Sequence, residues 1–307
     1  MIAWAKGEKM ELTRKQFDVL ETLASAKERL TQRDIERITH YSLGTVNRVM
    51  KELMEAGLAE DGTITRSGLN ALEPYRAKRA IFIAAGFGSR LVPITFNTPK
   101  PLVRVHGIRI IDRLIDACLE AGINEIYIVR GYLSELFDQL LYKYPMVKFL
   151  ENPVYNEANN ISSSMVARYM LSNAYVFEAD LLLSNPAIIK KYHYTTNFLG
   201  IKKKRSDDWV VKVKDGIIVE EMVGGEGDDI FQMVGISYWD EADGHKLSQD
   251  IQEVYRSPGG KERYWEQVPL VFKKEHYKVE IRECFDEDIV EIDTFNELKA
   301  VDPTYNV

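Results

Sequence analysis

The chain is short of cysteine, of long apolar runs and of surplus positive charge, and each shortage closes off a class of function. Its two cysteines, Cys118 and Cys284, are too few for a disulfide framework or a cysteine zinc site, and each lies in an apolar context that suits a buried free thiol. The apolar runs are strand-length and no charged-then-apolar leader opens the sequence, so the expectation is a cytoplasmic protein with no membrane partner. A net charge of −7 argues against general affinity for nucleic acid, so an anionic substrate must be met by locally concentrated cations. Internal repeats and low-complexity segments are also missing. What remains, 307 residues of which 45% are apolar, is enough for two domains with at least one sizeable core.

Up to about Arg76 the chain lacks glycine loops and reads as helical. Phe17, Leu20, Leu23 and Ala24 recur at helical spacing, Thr31 is placed to cap a short helix through Ile35 and Ile38, and a turn follows at His40 to Gly44. Thr45 to Ala56 carries Val46, Val49, Met50 and Leu53 on one face, with Asn47, Arg48 and Lys51 elsewhere, and Gly57 ends it. Leu58 to Thr65 gives two strand-like pieces about Asp61-Gly62. This is the element order of a winged helix-turn-helix domain over residues 1–76, and its end resembles that of the bacterial MarR-like module. Basic and acidic residues cancel over this stretch, where a dedicated DNA binder shows a basic surplus. Arg48 and Lys51 keep DNA as a candidate partner; a structural or dimerising module, with a second copy as partner, is the alternative.

From Ala80 the pattern alternates. Strands expected at 79–84, 125–129 and 174–178 are separated by helices expected at 108–121, 133–142 and 162–171, which implies an α/β domain over 77–307 with a mixed, mostly parallel sheet. Beyond 196 the chain reads as four strands (197–201, 209–213, 217–222, 231–238), then helices at 241–255 and 261–272.

The first of these strands runs into a glycine loop. Gly86 and Gly88 allow a tight turn whose N–H groups can face phosphate oxygens, so Ala85, Gly86, Gly88 and Ser89 are the expected nucleotide contacts; Arg90 and Lys100 add positive charge. A dinucleotide fingerprint would need glycine where Leu91 stands, and a P-loop would need Gly-Lys-Ser or Gly-Lys-Thr; neither fits. Further on, Asp180 ends a strand, and Glu291 and Asp293 share one face of another, so Asp180 with Asp293 or Glu291 makes a candidate Mg²⁺ clamp.

The spacing Gly86, Gly88, Arg90, Pro93, Thr95, Pro99, Lys100, Leu102 resembles the signature of the sugar-phosphate and alcohol-phosphate nucleotidyltransferases, which implies a Rossmann-like fold. Asn156 to Ser164, Glu178 to Asp180, Asp208-Trp209, Gly235 to Asp240, Arg263 to Glu266 and Glu291 to Asp293 narrow the likeness to the bacterial choline-phosphate cytidylyltransferases of the lic pathway, over nearly all of 79–302. The resemblance implies Mg²⁺-dependent transfer of CMP from CTP to phosphocholine, giving CDP-choline and pyrophosphate. Arg90, Lys100 and Asp180 would be catalytic, with Asn159 and Asn160 near the pyrimidine or ribose. A quaternary ammonium cannot donate hydrogen bonds and is held by aromatic faces beside a carboxylate. Trp209, Tyr264 and Trp265 are the expected rings, with Trp239 and Tyr238 as further candidates that by default are core. Glu266, Asp208 or Asp240 would supply the charge, and Lys202, ending an expected strand, would meet the acceptor phosphate. The alternatives are a sister enzyme acting on 2-aminoethylphosphonate, phosphoethanolamine or a sugar phosphate, and a DNA-binding regulator that uses the fold as a sensor.

Overall fold

A computed structural model describes residues 11–306; Met1 to Met10 and Val307, which begin and end the two expected domains, lie outside the described residues. The chain divides between Arg76 and Ala77 into two compact units. In the first, α1 (Arg14–Ser25), α2 (Gln32–Thr39) and α3 (Leu43–Glu55) precede a two-stranded wing, β1 (Ala59–Glu60) and β2 (Thr63–Ile64), and α4 (Arg66–Leu72). The caps explain the boundaries. Thr13 and Thr31 close capping boxes with Gln16 and Asp34, while Ser42 caps α3 two residues earlier than the expected start at Thr45. Asp61 and Gly62 both take positive φ, 50° and 75°, as a two-residue hairpin turn requires. Ile35 is buried but Ile38 is 51% exposed, so only the first belongs to the core. On α3, Arg48 and Lys51 pair with Glu52 (2.6 Å) and Glu55 (3.8 Å), one turn on.

The second unit is built on a seven-stranded sheet. Its strands are β3 (Arg79–Ala84), β6 (Glu125–Arg130), β7 (Lys148–Glu151), β8 (Ala174–Glu178), β10 (Asn197–Lys214), β11 (Ile217–Trp239) and β12 (Glu280–Cys284). Two short ribbons complete it: β4 (Arg104–Val105) with β5 (Ile108–Arg109), and β9 (Leu181–Leu183) with β13 (Ile289–Glu291). The sheet order is β10-β12-β11-β8-β3-β6-β7, with β3 parallel to β6 and β8, and β11 antiparallel to β8. Alternation sends Ala80 and Phe82 to one face, packed with Ile111, Leu114 and Cys118 of α5 (Ile110–Glu120). Ile81 goes to the other, with Ile161 of α6 (Ile161–Ala167) and Leu247 and Ile251 of α7 (Glu241–Arg256). Both thiols are buried and free. Among the described residues no helix is long and apolar enough to cross a membrane.

Three expected helices and the four expected strands beyond 196 differ. Residues 134–142 form 3₁₀ rather than α-helix, and α6 gives way to 3₁₀ at Arg168. The expected helix at 261–272 is a 3₁₀ turn (Gly260–Glu262) and a π turn (Val268–Phe272), since Pro269 contributes no N–H to a regular ladder. The four expected strands beyond 196 are two, β10 and β11, joined at Asp215-Gly216 with φ 52° and 79°. The charged run 202–208 breaks the apolar alternation but not the strand, because partners across the hairpin include Glu226 opposite Arg205. The hairpin also folds back on itself, so that Val210 pairs with both Met222 and Gln232.

Candidate active site

The loop that follows β3 borders a cavity of about 400 Å³ lined by Gly86, Gly88, Ser89, Arg90, Lys100, Asn159, Asp180 and Asp293. Gly88 lies in the left-handed region at φ 62°, where a Cβ would also come within 3.0 Å of the Lys100 Cβ and 3.1 Å of the Thr95 Cγ2. A Cβ on Gly86 would meet nothing within 4 Å, so the room beside it is open cavity. Ala85 does not line the cavity; its carbonyl accepts from the Tyr132 N–H at 3.1 Å.

Lys100 is buried, and its Nζ bridges Asp180 Oδ2 (2.8 Å) and Asp293 Oδ1 (2.9 Å). Burial opposes the ammonium charge, but Asp180 and then Asp293 outweigh it and hold the pKa above that of an ordinary lysine. Arg90 is exposed and reaches Asp293 Oδ2 at 2.8 Å. Burial pushes Asp293 upward, yet Lys100 and Arg90 leave it below the usual carboxylate range.

Oxygens of Glu178, Asp180 and Glu291 lie within 4.8 Å of one another, and Asp180 Oδ1 is buried without a partner. An oxygen-only set with an unsatisfied carboxylate oxygen suits a hard divalent cation. Of the carboxylates expected from the sequence, Asp180 and Glu291 thus meet Glu178, while Asp293 pairs with Lys100 and Arg90. The cause is local. β13 ends at Glu291, and the Asp293 N–H turns to Glu297 Oε2 (2.8 Å) at the start of α8 (Phe295–Val301), so the two acids do not continue one straight strand. Pairing of Leu181 with Glu291 brings this turn to the carboxyl end of β8. Glu178 was legible from the same two-residue spacing, since it stands two before Asp180.

A second cavity of about 420 Å³ shares Arg90 and Asp293 with the first and is lined further by Glu178, Asp208, Trp209, Glu221, Tyr264, Glu266 and Glu291. Trp209 and Tyr264 meet edge to face, with centroids 5.5 Å apart. Burial raises Glu178 well above the usual carboxylate range, helped by the charges of Glu266 and Asp180, and burial raises Glu266 as well. Glu221, absent from every sequence motif, is pushed up to about 7 by burial, and its Oε2 is buried without a partner. No spacing could have found it, because it enters on the folded-back end of the hairpin.

Several expected site residues lie elsewhere. Trp265 is 2% exposed, stacked on Phe198 at 6.0 Å, so this ring and those of Tyr238 and Trp239 are core. Tyr264 and Trp265 are consecutive, and only the first turns to the cavity. Asp240 caps α7 by accepting from the Asp243 N–H. Lys202 is exposed in mid-strand opposite Phe231, with its ammonium 6.0 Å from that ring, and lines neither cavity; β10 continues where a strand end was expected. Asn159 lines the first cavity and donates its N–H to the Lys261 carbonyl (2.7 Å). The Asn160 amide instead faces Glu178 (3.4 Å) and Glu266 (3.5 Å), on the side of the second cavity. Asn152 is buried and donates to Ser162 and Ser163, a structural tie.

Residues 79–211 match the family model described as Nucleotidyl transferase, and residues 11–63 match that of the MarR family. A 2-aminoethylphosphonate cytidylyltransferase from Lancefieldella rimae is 36% identical over 230 residues, 74% of this chain and 92% of that protein. The chain belongs to the nucleotidyltransferase family. This nucleotidyltransferase is also 32% identical over 225 residues to a choline-phosphate cytidylyltransferase from Streptococcus pneumoniae, 73% of this chain and 96% of that one. The solved structure of a CTP:phosphocholine cytidylyltransferase from the same species superposes with a TM-score of 0.67 at 29% identity, covering 75% of this chain and 99% of that one. The fold is accordingly the Rossmann-like α/β fold of nucleotidyltransferases, preceded by a MarR-like winged helix, and the activity is nucleotidyl transfer.

Proposed function

We propose that the enzyme transfers the cytidylyl group of CTP to a small phosphonate or phosphate that carries a primary ammonium, with 2-aminoethylphosphonate as the favoured acceptor. The observation that carries this reading is the second cavity: Glu178, Glu221 and Glu266 line it, and one Glu221 oxygen is buried without a donor. A primary ammonium brings three N–H donors to such a site, whereas a trimethylammonium brings none. The ring count that favoured choline falls to Trp209 and Tyr264 once Trp265, Trp239 and Tyr238 are seen to be core. That ring pair still supports phosphocholine as the second reading. The activities for which the relatives are named support a CTP donor and include both acceptors.

An acceptor oxygen attacks the α-phosphorus as the bond to the β-phosphate oxygen breaks, and pyrophosphate carries away the electron pair. The work of the protein is positioning and charge neutralisation. Loop N–H groups and Arg90 meet the β- and γ-phosphates, and the Lys100 ammonium turns from its carboxylates toward the α-phosphate. Mg²⁺, when bound, would be held by Asp180 with Glu178 and Glu291 and would neutralise phosphate charge. Turnover of CTP, UTP and dTTP against 2-aminoethylphosphonate, phosphoethanolamine and phosphocholine tests the assignment. CTP with 2-aminoethylphosphonate should give the highest kcat/KM; preference for phosphocholine overturns the head-group assignment, and preference for another nucleotide overturns the donor.

A further inference from the structure

Tyr132 belongs to no motif read from the sequence, yet it reaches the glycine loop in three ways. Its backbone N–H donates to the Ala85 carbonyl (3.1 Å), its ring packs on Phe87 with centroids 5.0 Å apart, and its hydroxyl donates to the Thr95 carbonyl (3.0 Å). Thr95, 2% exposed, donates its own hydroxyl to the Gly88 carbonyl at 2.8 Å. The Ala85 carbonyl is therefore fixed by the Tyr132 backbone N–H, and the Gly88 carbonyl by the Thr95 hydroxyl together with the Leu91 N–H (2.9 Å). In a planar trans peptide the C=O of one residue and the N–H of the next point in opposite directions. Holding these two carbonyls sends the N–H groups of Gly86 and Ser89 the other way, and both residues line the first cavity.

We propose that Thr95 and Tyr132 are positioning residues: they lock two peptide planes of the loop so that the Gly86 and Ser89 N–H groups face the phosphates of the nucleotide. The proposal rests on the glycine loop being the nucleotide cradle. A peptide free to rotate would present a carbonyl oxygen to the phosphate in place of a donor, so orientation fixed before binding removes a reorganisation that the anion would otherwise have to drive. Neither side chain touches the nucleotide in this account; each acts through the loop backbone.

The test is steady-state kinetics and calorimetric CTP binding on the full chain, with thermal unfolding as the folding control. Thr95→Val, which keeps the shape and removes the hydroxyl, should raise the CTP KM and Kd about tenfold while the acceptor KM stays within about twofold. Thr95→Ser, which retains the hydroxyl, should restore CTP binding, and Tyr132→Phe should weaken it by about fivefold. If Thr95→Val does not fold, Thr95→Ala, which also removes the hydroxyl, decides; Tyr132→Phe keeps the backbone bond to Ala85 and tests only the hold of its hydroxyl on the Thr95 carbonyl. Unchanged CTP binding, or equal rises in CTP and acceptor KM, overturns the proposal. Gly88→Ala separates the two levels: its Cβ would strike Lys100 and Thr95, so CTP binding that falls in Gly88→Ala but not in the other variants leaves the cradle standing and removes the brace. Unchanged CTP binding in all of them removes the cradle as well.

Discussion

Replacing Glu221 by glutamine removes one charge and leaves the shape of the acceptor cavity intact. Burial pushes the Glu221 carboxyl up to about 7, so it is mostly protonated at pH 6 and mostly ionised at pH 8. An acceptor ammonium that pairs with the ionised form alone should see its apparent affinity rise roughly tenfold over that interval. At pH 8 the lost charge-assisted hydrogen bond should lower kcat/KM for 2-aminoethylphosphonate by about ten- to a hundredfold in Glu221→Gln. The acceptor's own phosphonate also titrates near neutrality, so the quantity to plot is the ratio of parent to variant kcat/KM from pH 6 to 8, in which that ionisation cancels. The ratio should climb with pH through 7 and flatten toward about pH 8. A flat ratio would refute the pairing. The same shift has a cost in stability with a definite sign. A carboxyl raised from 4.5 to about 7 by folding binds its proton more tightly in the folded state, so stability is lost as pH rises from about 4.5 to 7. Glu221→Gln should therefore be more stable than the parent at pH 8, on the order of 3 kcal/mol, and indistinguishable from it near pH 4.

Lys100→Met should lower kcat by about a hundredfold or more with the fold retained, because its ammonium neutralises charge on the α-phosphate; turnover like that of the parent would remove Lys100 from the mechanism. Asp180→Asn, and EDTA added to the parent enzyme, should each abolish activity, and full activity in chelator would refute the metal clamp. The tryptophans should part company. Trp209→Leu should raise the acceptor KM with little change in melting temperature, whereas Trp265→Leu, at a site 2% exposed, should cost about 2 to 4 kcal/mol of stability. Equal effects on acceptor KM from both would return Trp265 to the site.

Much of the lining of the first cavity was legible because it is continuous in sequence. Gly86, Gly88, Arg90 and Lys100 follow one strand within a single stretch, and the strand-to-loop order alone points to phosphate. Asp180 and Glu291 were legible as strand ends. The second cavity resisted because its walls come from distant segments: Glu178 from β8, Trp209 and Glu221 from the two arms of the hairpin, Tyr264 and Glu266 from an irregular turn. Side-chain alternation does not say which of two consecutive aromatics in an irregular turn faces inward, which is why Trp265 was misplaced. Lys202 was misplaced for a related reason, since cross-strand pairing carries β10 through a charged run that reads as a loop.

The doubled-back hairpin separates two evolutionary variables. Trp209 and Glu221 lie on the folded-back part of the hairpin, past the segments where β10 pairs with β12 (197–201) and β11 with β8 (236–239), and the tip of the hairpin returns to the sheet where Ile217 pairs with Glu280 of β12. The glycine loop and Lys100 grow from the opposite flank of the sheet centre, directly behind β3. Trp209 and Glu221, which line the second cavity, are thus carried by other strands than the glycine loop, and substitutions at them leave β3 and the loop mounted on it in place. Under the proposed function, such an arrangement lets one nucleotide chemistry be kept while the recipient is exchanged.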